Sequence, residues 1–136
     1  MASRVFIDTS AFYAILDRDD SNYPQAGRIW TALLDDGEVL VTTNYVLVET
    51  CALLQHRLGL QAVHTFSQDM LPVTEIQWIG PEQHGAALLT LLTANRRQLS
   101  LVDCASFLVM RAGGIRRAFA FDQHYREQGF EVEEAI

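Results

Sequence analysis

The sequence predicts an α/β fold, with a mostly parallel sheet of about five strands and helices on both faces. Short apolar runs of strand length alternate with helical stretches along the whole chain, and parallel neighbours need such crossover connections. Several of these runs end on small polar or acidic residues suited to capping the helix that follows. With 136 residues, 49% of them hydrophobic, the chain has material for one shared core, so a single domain over 1–136 is expected.

The elements follow in order. Val5-Phe6-Ile7 is a first strand, broken by Asp8-Thr9-Ser10, which caps a helix from Ala11 to about Asp17. A second helix begins after Asn22, with Pro24 in its first turn, and runs to Gly37. Val39-Leu40-Val41 is a second strand, and Thr42, Thr43 and Asn44 offer caps for an apolar helix from about Tyr45 to Leu58, ended by Gly59. Gln61 to Met70 reads as another helix. Pro72 precedes a third strand, Val73 to Ile79, and Gly80-Pro81 opens a leucine-rich helix. Ser100 starts the helix Leu101 to about Arg111, which stops at Gly113-Gly114 before strands at Ala118–Phe121 and Phe130–Val132.

Charge narrows the function classes. A formal charge of −7 argues against coating nucleic acid by bulk electrostatics, so any contact with RNA has to be local. All ten basic residues are arginine. Arg96, Arg97, Arg111, Arg116 and Arg117 share a stretch whose only acid is Asp103, and this is either a solvated face or a phosphate-contacting one. No apolar stretch is long enough to span a bilayer, and Asp8 comes too early for a signal peptide, so a cytoplasmic protein with no membrane contact is expected. Cys51 and Cys104 lack metal or disulfide spacing and read as buried thiols.

Four acids stand out, each with a plain alternative. Asp8 and Asp122 both end an apolar strand just before a helix signal, where ligands collect in open parallel sheets and where helix caps are also found. Glu49 shares a helix face with Val46, Ala52 and Leu53, so its charge needs either a special site or an arginine partner. Asp103 completes a capping box with Ser100, which also directs its carboxylate to the positive end of the helix. Together the four can form an oxygen-lined pocket for a hard cation such as Mg²⁺, which can activate water and neutralise a departing oxygen. The same acids without metal would repel a phosphodiester.

The chain resembles the PIN domains, and within them the small stand-alone proteins typified by VapC toxins. The resemblance rests on Phe6-Ile7-Asp8-Thr9-Ser10, the helix bearing Glu49, Leu99-Ser100-Leu101-Val102-Asp103-Cys104-Ala105, and Phe119-Ala120-Phe121-Asp122-Gln123-His124-Tyr125 followed by Gly129-Phe130. It implies a three-layer PIN-like fold and an endoribonuclease dependent on Mg²⁺ or Mn²⁺, with Asp8, Glu49, Asp103 and Asp122 as catalytic metal ligands. It also implies a frequent homodimer and, for many members, an antitoxin partner. Thr9 or Ser10, and Ser100, would place water or phosphate, while Arg96 or Arg97 would hold the RNA backbone. Many relatives carry a hydroxyl two positions before the fourth acid, where this chain has Ala120; His124 reads as a surface helix residue.

Other functions fit less well. A phosphoacceptor receiver domain relies on a lysine that this chain lacks, and a haloacid-dehalogenase-type phosphatase wants a second Asp where Ser10 stands. The alternative from another class is a non-catalytic PIN-like module that binds RNA or protein without cutting.

Overall fold

The computed structural model describes residues 3–135. Strand β1 (Arg4–Ile7) lies in the middle of a five-stranded sheet, because three apolar residues in a row, Val5, Phe6 and Ile7, suit a strand buried on both faces. It pairs with β2 (Val39–Thr43) on one side and β4 (Arg117–Phe119) on the other, with Val5 beside Leu40 and Phe6 beside Ala118. β3 (Thr74–Gln77) flanks β2, and β5 (Glu131–Val132) flanks β4, giving the order β3-β2-β1-β4-β5. Every pairing is parallel, so the sheet is more uniform than the mostly parallel one expected.

That order creates a switch point. The chain steps outward from β1 to β2 to β3, then returns across the sheet to β4 on the opposite side of β1. Connections leaving β1 and β4 therefore diverge, and a crevice opens between the carboxyl ends of these two strands, where ligands bind in open parallel sheets. Asp8 stands at that point, and its backbone N–H donates to the Phe119 carbonyl at 3.0 Å, so the two strand ends are tied together.

The helices are α1 (Thr9–Leu16), α2 (Tyr23–Asp35), α3 (Asn44–Arg57), α4 (Leu60–Thr65), α5 (Pro81–Ala94), α6 (Leu101–Ala112) and α7 (His124–Glu127). Aromatic contacts mark two layers around the sheet. Phe12 of α1 packs edge-on against Trp30 of α2 and Phe66, while Phe6 of β1 stacks on Tyr125, which meets Phe107 of α6. Among the described residues no helix is long and apolar enough to cross a membrane.

Helix boundaries follow their caps. Thr43 accepts from the Val46 N–H and starts α3 one residue before the expected Tyr45, and Gly59, at φ 93°, stops the chain after it as only a residue without Cβ does easily. The expected helix over Gln61–Met70 divides instead: α4 ends at Thr65 and a π turn carries Phe66–Met70, burying Phe66 and Met70. β3 is shorter than the expected Val73–Ile79 because Pro72 sits in a 3₁₀ turn and the Ile79 N–H leaves the sheet for Asn44 Oδ1 at 2.6 Å. β4 ends at Phe119, not Phe121. The Phe121 N–H donates to Ser10 Oγ at 2.9 Å, which bends the chain off the sheet two residues early.

Candidate active site

Asp8 is nearly inaccessible to solvent, and both of its oxygens are held. Oδ2 accepts from the Ser10 N–H at 3.2 Å and from the Ser10 hydroxyl at 2.7 Å, the cap expected at the start of α1. Oδ1 accepts from the Tyr125 hydroxyl at 2.9 Å. Burial nevertheless raises the pKa of this carboxyl, with the charge of Asp122 adding to the rise, and the three hydrogen bonds offset only part of it. Asp8 is therefore a cap and something more, because a cap alone does not bring a second acid into range.

Glu49 lies one turn into α3 and is half-buried. Its pKa is raised by burial first and then by the charges of Asp8 and Asp122, against a lowering hydrogen bond from Thr9. The groups that act on it are acids and a hydroxyl, so the arginine salt bridge weighed for this residue does not account for it. Thr9 is buried, accepts from Thr50 at 3.1 Å and approaches the Val46 carbonyl at 3.5 Å, so it ties α1 to α3.

Asp103 keeps the expected capping box. Its N–H donates to Ser100 Oγ at 3.0 Å while its Oδ2 accepts from the Ser100 N–H at 3.1 Å. Its pKa is raised to about 6, chiefly by burial and then by Asp8 and Asp122, which outweighs the help from Ser100. Asp122 follows β4 and remains partly open to solvent.

The tightest cluster differs from the four acids alone. Among the described residues, Asp103, Asp122 and His124 each bring one ligand atom to within 4.8 Å of the others; Asp8 acts on Asp103 from outside this group, and the charge of Asp122 reaches Glu49. The reading of His124 as a surface helix residue is thus corrected: it is only 6% exposed. Its Nε2 lies 3.2 Å from the Gln98 carbonyl and 3.8 Å from Asp122, and its Nδ1 lies 3.4 Å from Glu127. Burial opposes a charge on the ring, yet Asp122, Glu127 and Asp103 together raise its pKa. The ring is enclosed because it lies against the Gln98 carbonyl in the loop before α6 and beside Asp122 after β4.

The hydroxyls expected to meet substrate are occupied within the protein. Ser10 bridges Asp8 and the Phe121 backbone, Ser100 caps α6, and Thr9 faces Glu49. The expected basic face also disperses. Arg96 pairs with Glu127 at 3.0 Å, Arg117 is tied to Glu38 and Glu133 at the amino ends of the strands, and Arg111 lies over Phe107 and Phe130. Arg97 is exposed in the turn just before the α6 cap.

A model of the PIN domain matches residues 5–131, from the first strand to the last. The chain belongs to the PIN-domain family. Over 127 residues it is 33% identical to the 23S rRNA-specific endonuclease VapC20 of Mycobacterium tuberculosis, in both strain CDC 1551 / Oshkosh and strain H37Rv, covering 93% of this chain and 95% of the relative. The crystal structure of M. tuberculosis VapC20, described as a sarcin-ricin loop cleaving toxin, superposes with a TM-score of 0.85 at 31% identity, over 96% of this chain and 98% of the other.

Within this PIN fold, sequence reasoning singled out the acids as candidates and missed their supports. Tyr125 is fully buried among Phe6, Phe107 and Phe130, and burial pushes its phenol well above the ordinary value, so it stays a hydrogen-bond donor to Asp8. Its spacing held a clue: it lies three residues after Asp122, one helical turn on, at the start of a helix signal. Ala120 is buried, and the bond steadying the Asp122 loop comes from Ser10 to Phe121 instead of from a hydroxyl at position 120.

Proposed function

We propose that this PIN domain, a single unit over 1–136, is a cytoplasmic metal-dependent endoribonuclease and the toxin of a toxin–antitoxin pair. The observation that carries this reading is the reach of one carboxylate to three others: Asp8, Glu49 and Asp103 each have a raised pKa with Asp122 among the causes. Like charges are brought together at a strand switch point at a cost in stability, and a bound cation offsets it. The likeness to VapC20 supports RNA as substrate and makes a 23S rRNA loop the first target to test.

The donor set fits Mg²⁺ or Mn²⁺. Carboxylate oxygens of Asp8, Glu49, Asp103 and Asp122 are hard ligands, and the imidazole of His124 beside them favours Mn²⁺ of the two. Such an ion supplies an activated water and stabilises charge on the phosphate. The protein's own residues hold the acids still. Tyr125 and Ser10 clamp opposite oxygens of Asp8, the Ser100 N–H orients Asp103, and the His124 backbone N–H donates to Asp122 Oδ1 at 2.9 Å. Preorganised supports of this kind keep the ligands in place as charge develops.

Homodimer formation is part of the same proposal. α5 turns Leu89 and Leu92 outward at 68% and 67% exposure, more apolar surface than a solitary helix needs to present.

The deciding experiment measures cleavage of a labelled RNA hairpin. Wild type should lose activity in EDTA and regain it with Mn²⁺ or Mg²⁺, and Asp8→Asn should lower the rate at least a hundredfold while its circular dichroism stays native. Cutting at wild-type rate by Asp8→Asn removes Asp8 from the site. RNA binding with no metal-dependent cutting by wild type favours the non-catalytic module.

A further inference from the structure

Part of the local attraction this chain could offer an RNA backbone is already engaged. Arg4, Arg96, Arg117 and Arg126 are each ion-paired to a glutamate, and the formal net charge is −7. Phosphate neutralisation is thereby reduced, and contacts that do not depend on charge would add to it.

The carboxyl edge of the sheet offers such contacts. Trp78 leaves the end of β3 and is 70% exposed, at a cost in water contact that a core tryptophan would not bear. The next residue, Ile79, is pinned by its N–H to Asn44 Oδ1 at 2.6 Å, so the β3 exit is fastened to the first residue of α3. Tyr45 follows, and it stands one helical turn before Glu49, on the same side of α3. The Tyr45 hydroxyl hydrogen-bonds His84 Nδ1, and the two rings meet edge to face with centroids 5.8 Å apart. Tyr45 and its partner His84 thus stand on the Glu49 side of α3, and the Ile79–Asn44 bond fastens the strand exit that carries Trp78 to the start of the same helix. Their composition separates them from the outward leucines farther along α5, because Trp, Tyr and His present π-faces with polar edges, which match nucleobases, whereas Leu89 and Leu92 match another apolar protein face.

We propose that Trp78, with the Tyr45–His84 pair beside it, is a stacking platform for unpaired bases of the RNA next to the scissile phosphate. The inference rests on the RNA-cleaving reading above. It requires that the bases taken by the rings be unpaired, since bases inside a duplex are already stacked on one another and cannot reach them.

Fluorescence tests binding apart from cleavage. In EDTA, a looped hairpin oligoribonucleotide should quench tryptophan emission, a fully paired duplex of equal length should not, and Trp78→Leu should abolish the quench. The remaining tryptophan, Trp30, packs against Phe12 and supplies a constant background. With Mn²⁺, Trp78→Leu should raise KM for the hairpin about tenfold, equivalent to about 1.4 kcal/mol, and leave kcat within twofold, while Trp78→Phe should retain most of the affinity. An equal quench in Trp78→Leu, or an unchanged KM, overturns the platform. So does a change from dimer to monomer in Trp78→Leu, measured by light scattering, because the ring would then face a second copy. Loop-specific quenching without any cutting by wild type would overturn the nuclease reading and leave the platform standing.

Discussion

Asp103 serves as both helix cap and pocket acid, and the two roles oppose each other energetically. As a cap it gains from the Ser100 N–H and from the helix dipole, a benefit of roughly 0.5–1 kcal/mol. As a buried acid with a pKa raised to about 6 from 3.8, its ionised form costs on the order of 3 kcal/mol above that pH. The second effect is larger, so Asp103→Asn should stabilise the metal-free protein at pH 7.5, whereas pure capping requires a loss. The sign with pH follows. Between about pH 4 and 6 the folded state holds a proton that the unfolded chain releases, so this contribution is present at low pH and is lost as pH rises through 6. Thermal melts in EDTA should show wild-type stability falling from pH 5 to pH 7, with a flatter profile in Asp103→Asn. Added Mn²⁺ should raise the wild-type melting temperature more at pH 7 than at pH 5, since metal and proton compete for the same oxygens. A less stable Asp103→Asn at pH 7.5, with no response of wild type to Mn²⁺, would reduce the acids to caps.

At the scale of elements, the site is held by cross-links between pieces far apart in sequence. Ser10, at the start of α1, bonds both Asp8 and the Phe121 N–H, a link across 111 positions. Tyr125 of α7 reaches back to β1, and Thr9 meets Thr50 of α3. These links hold the ends of β1 and β4 and the start of α3 in one arrangement, which a metal site requires of its ligands. Ser10→Ala should therefore cost about 1–2 kcal/mol in stability, because the Phe121 N–H loses its acceptor and Asp8 loses its hydroxyl donor. Its cleavage rate should fall about tenfold and its apparent Mn²⁺ affinity should weaken, both measurable in one titration of activity against metal. A stability loss with unchanged metal affinity would make Ser10 a structural link only.

Viewed whole, the molecule separates its polar and apolar duties. Acids gather at the carboxyl ends of the central strands, arginine–glutamate pairs bind the amino ends through Arg117, Glu38 and Glu133, and α5 presents leucines to solvent. A dimer across α5 would cover Leu89 and Leu92. The double substitution Leu89→Asp and Leu92→Asp should then halve the mass seen by light scattering while leaving circular dichroism unchanged. A dimer that survives both charges would place its interface elsewhere.

The sequence by itself determined the layered parallel sheet and singled out the four acids as candidates. Apolar runs such as Val5-Phe6-Ile7 announce buried strands through burial alone, and Asp8, Asp103 and Asp122 sit at strand ends or helix starts that local capping chemistry makes visible. Glu49 was legible as a charge on an apolar helix. What only the tertiary structure decided is which groups surround those acids. His124 looked exposed because helical periodicity says nothing about what packs over a short helix, and it is the Gln98 carbonyl and Glu127 that enclose it. The arginines looked like one basic face because they are close in the chain, but Arg96 lies in the loop after α5 against Glu127, Arg111 at the end of α6 over Phe107, and Arg117 at the start of β4 against Glu38. Tyr125 reaches Asp8 across 117 positions. Local patterns report burial and capping, which act over a turn or a strand, whereas a site is made by contacts between elements, and its partners are chosen by how the sheet is ordered.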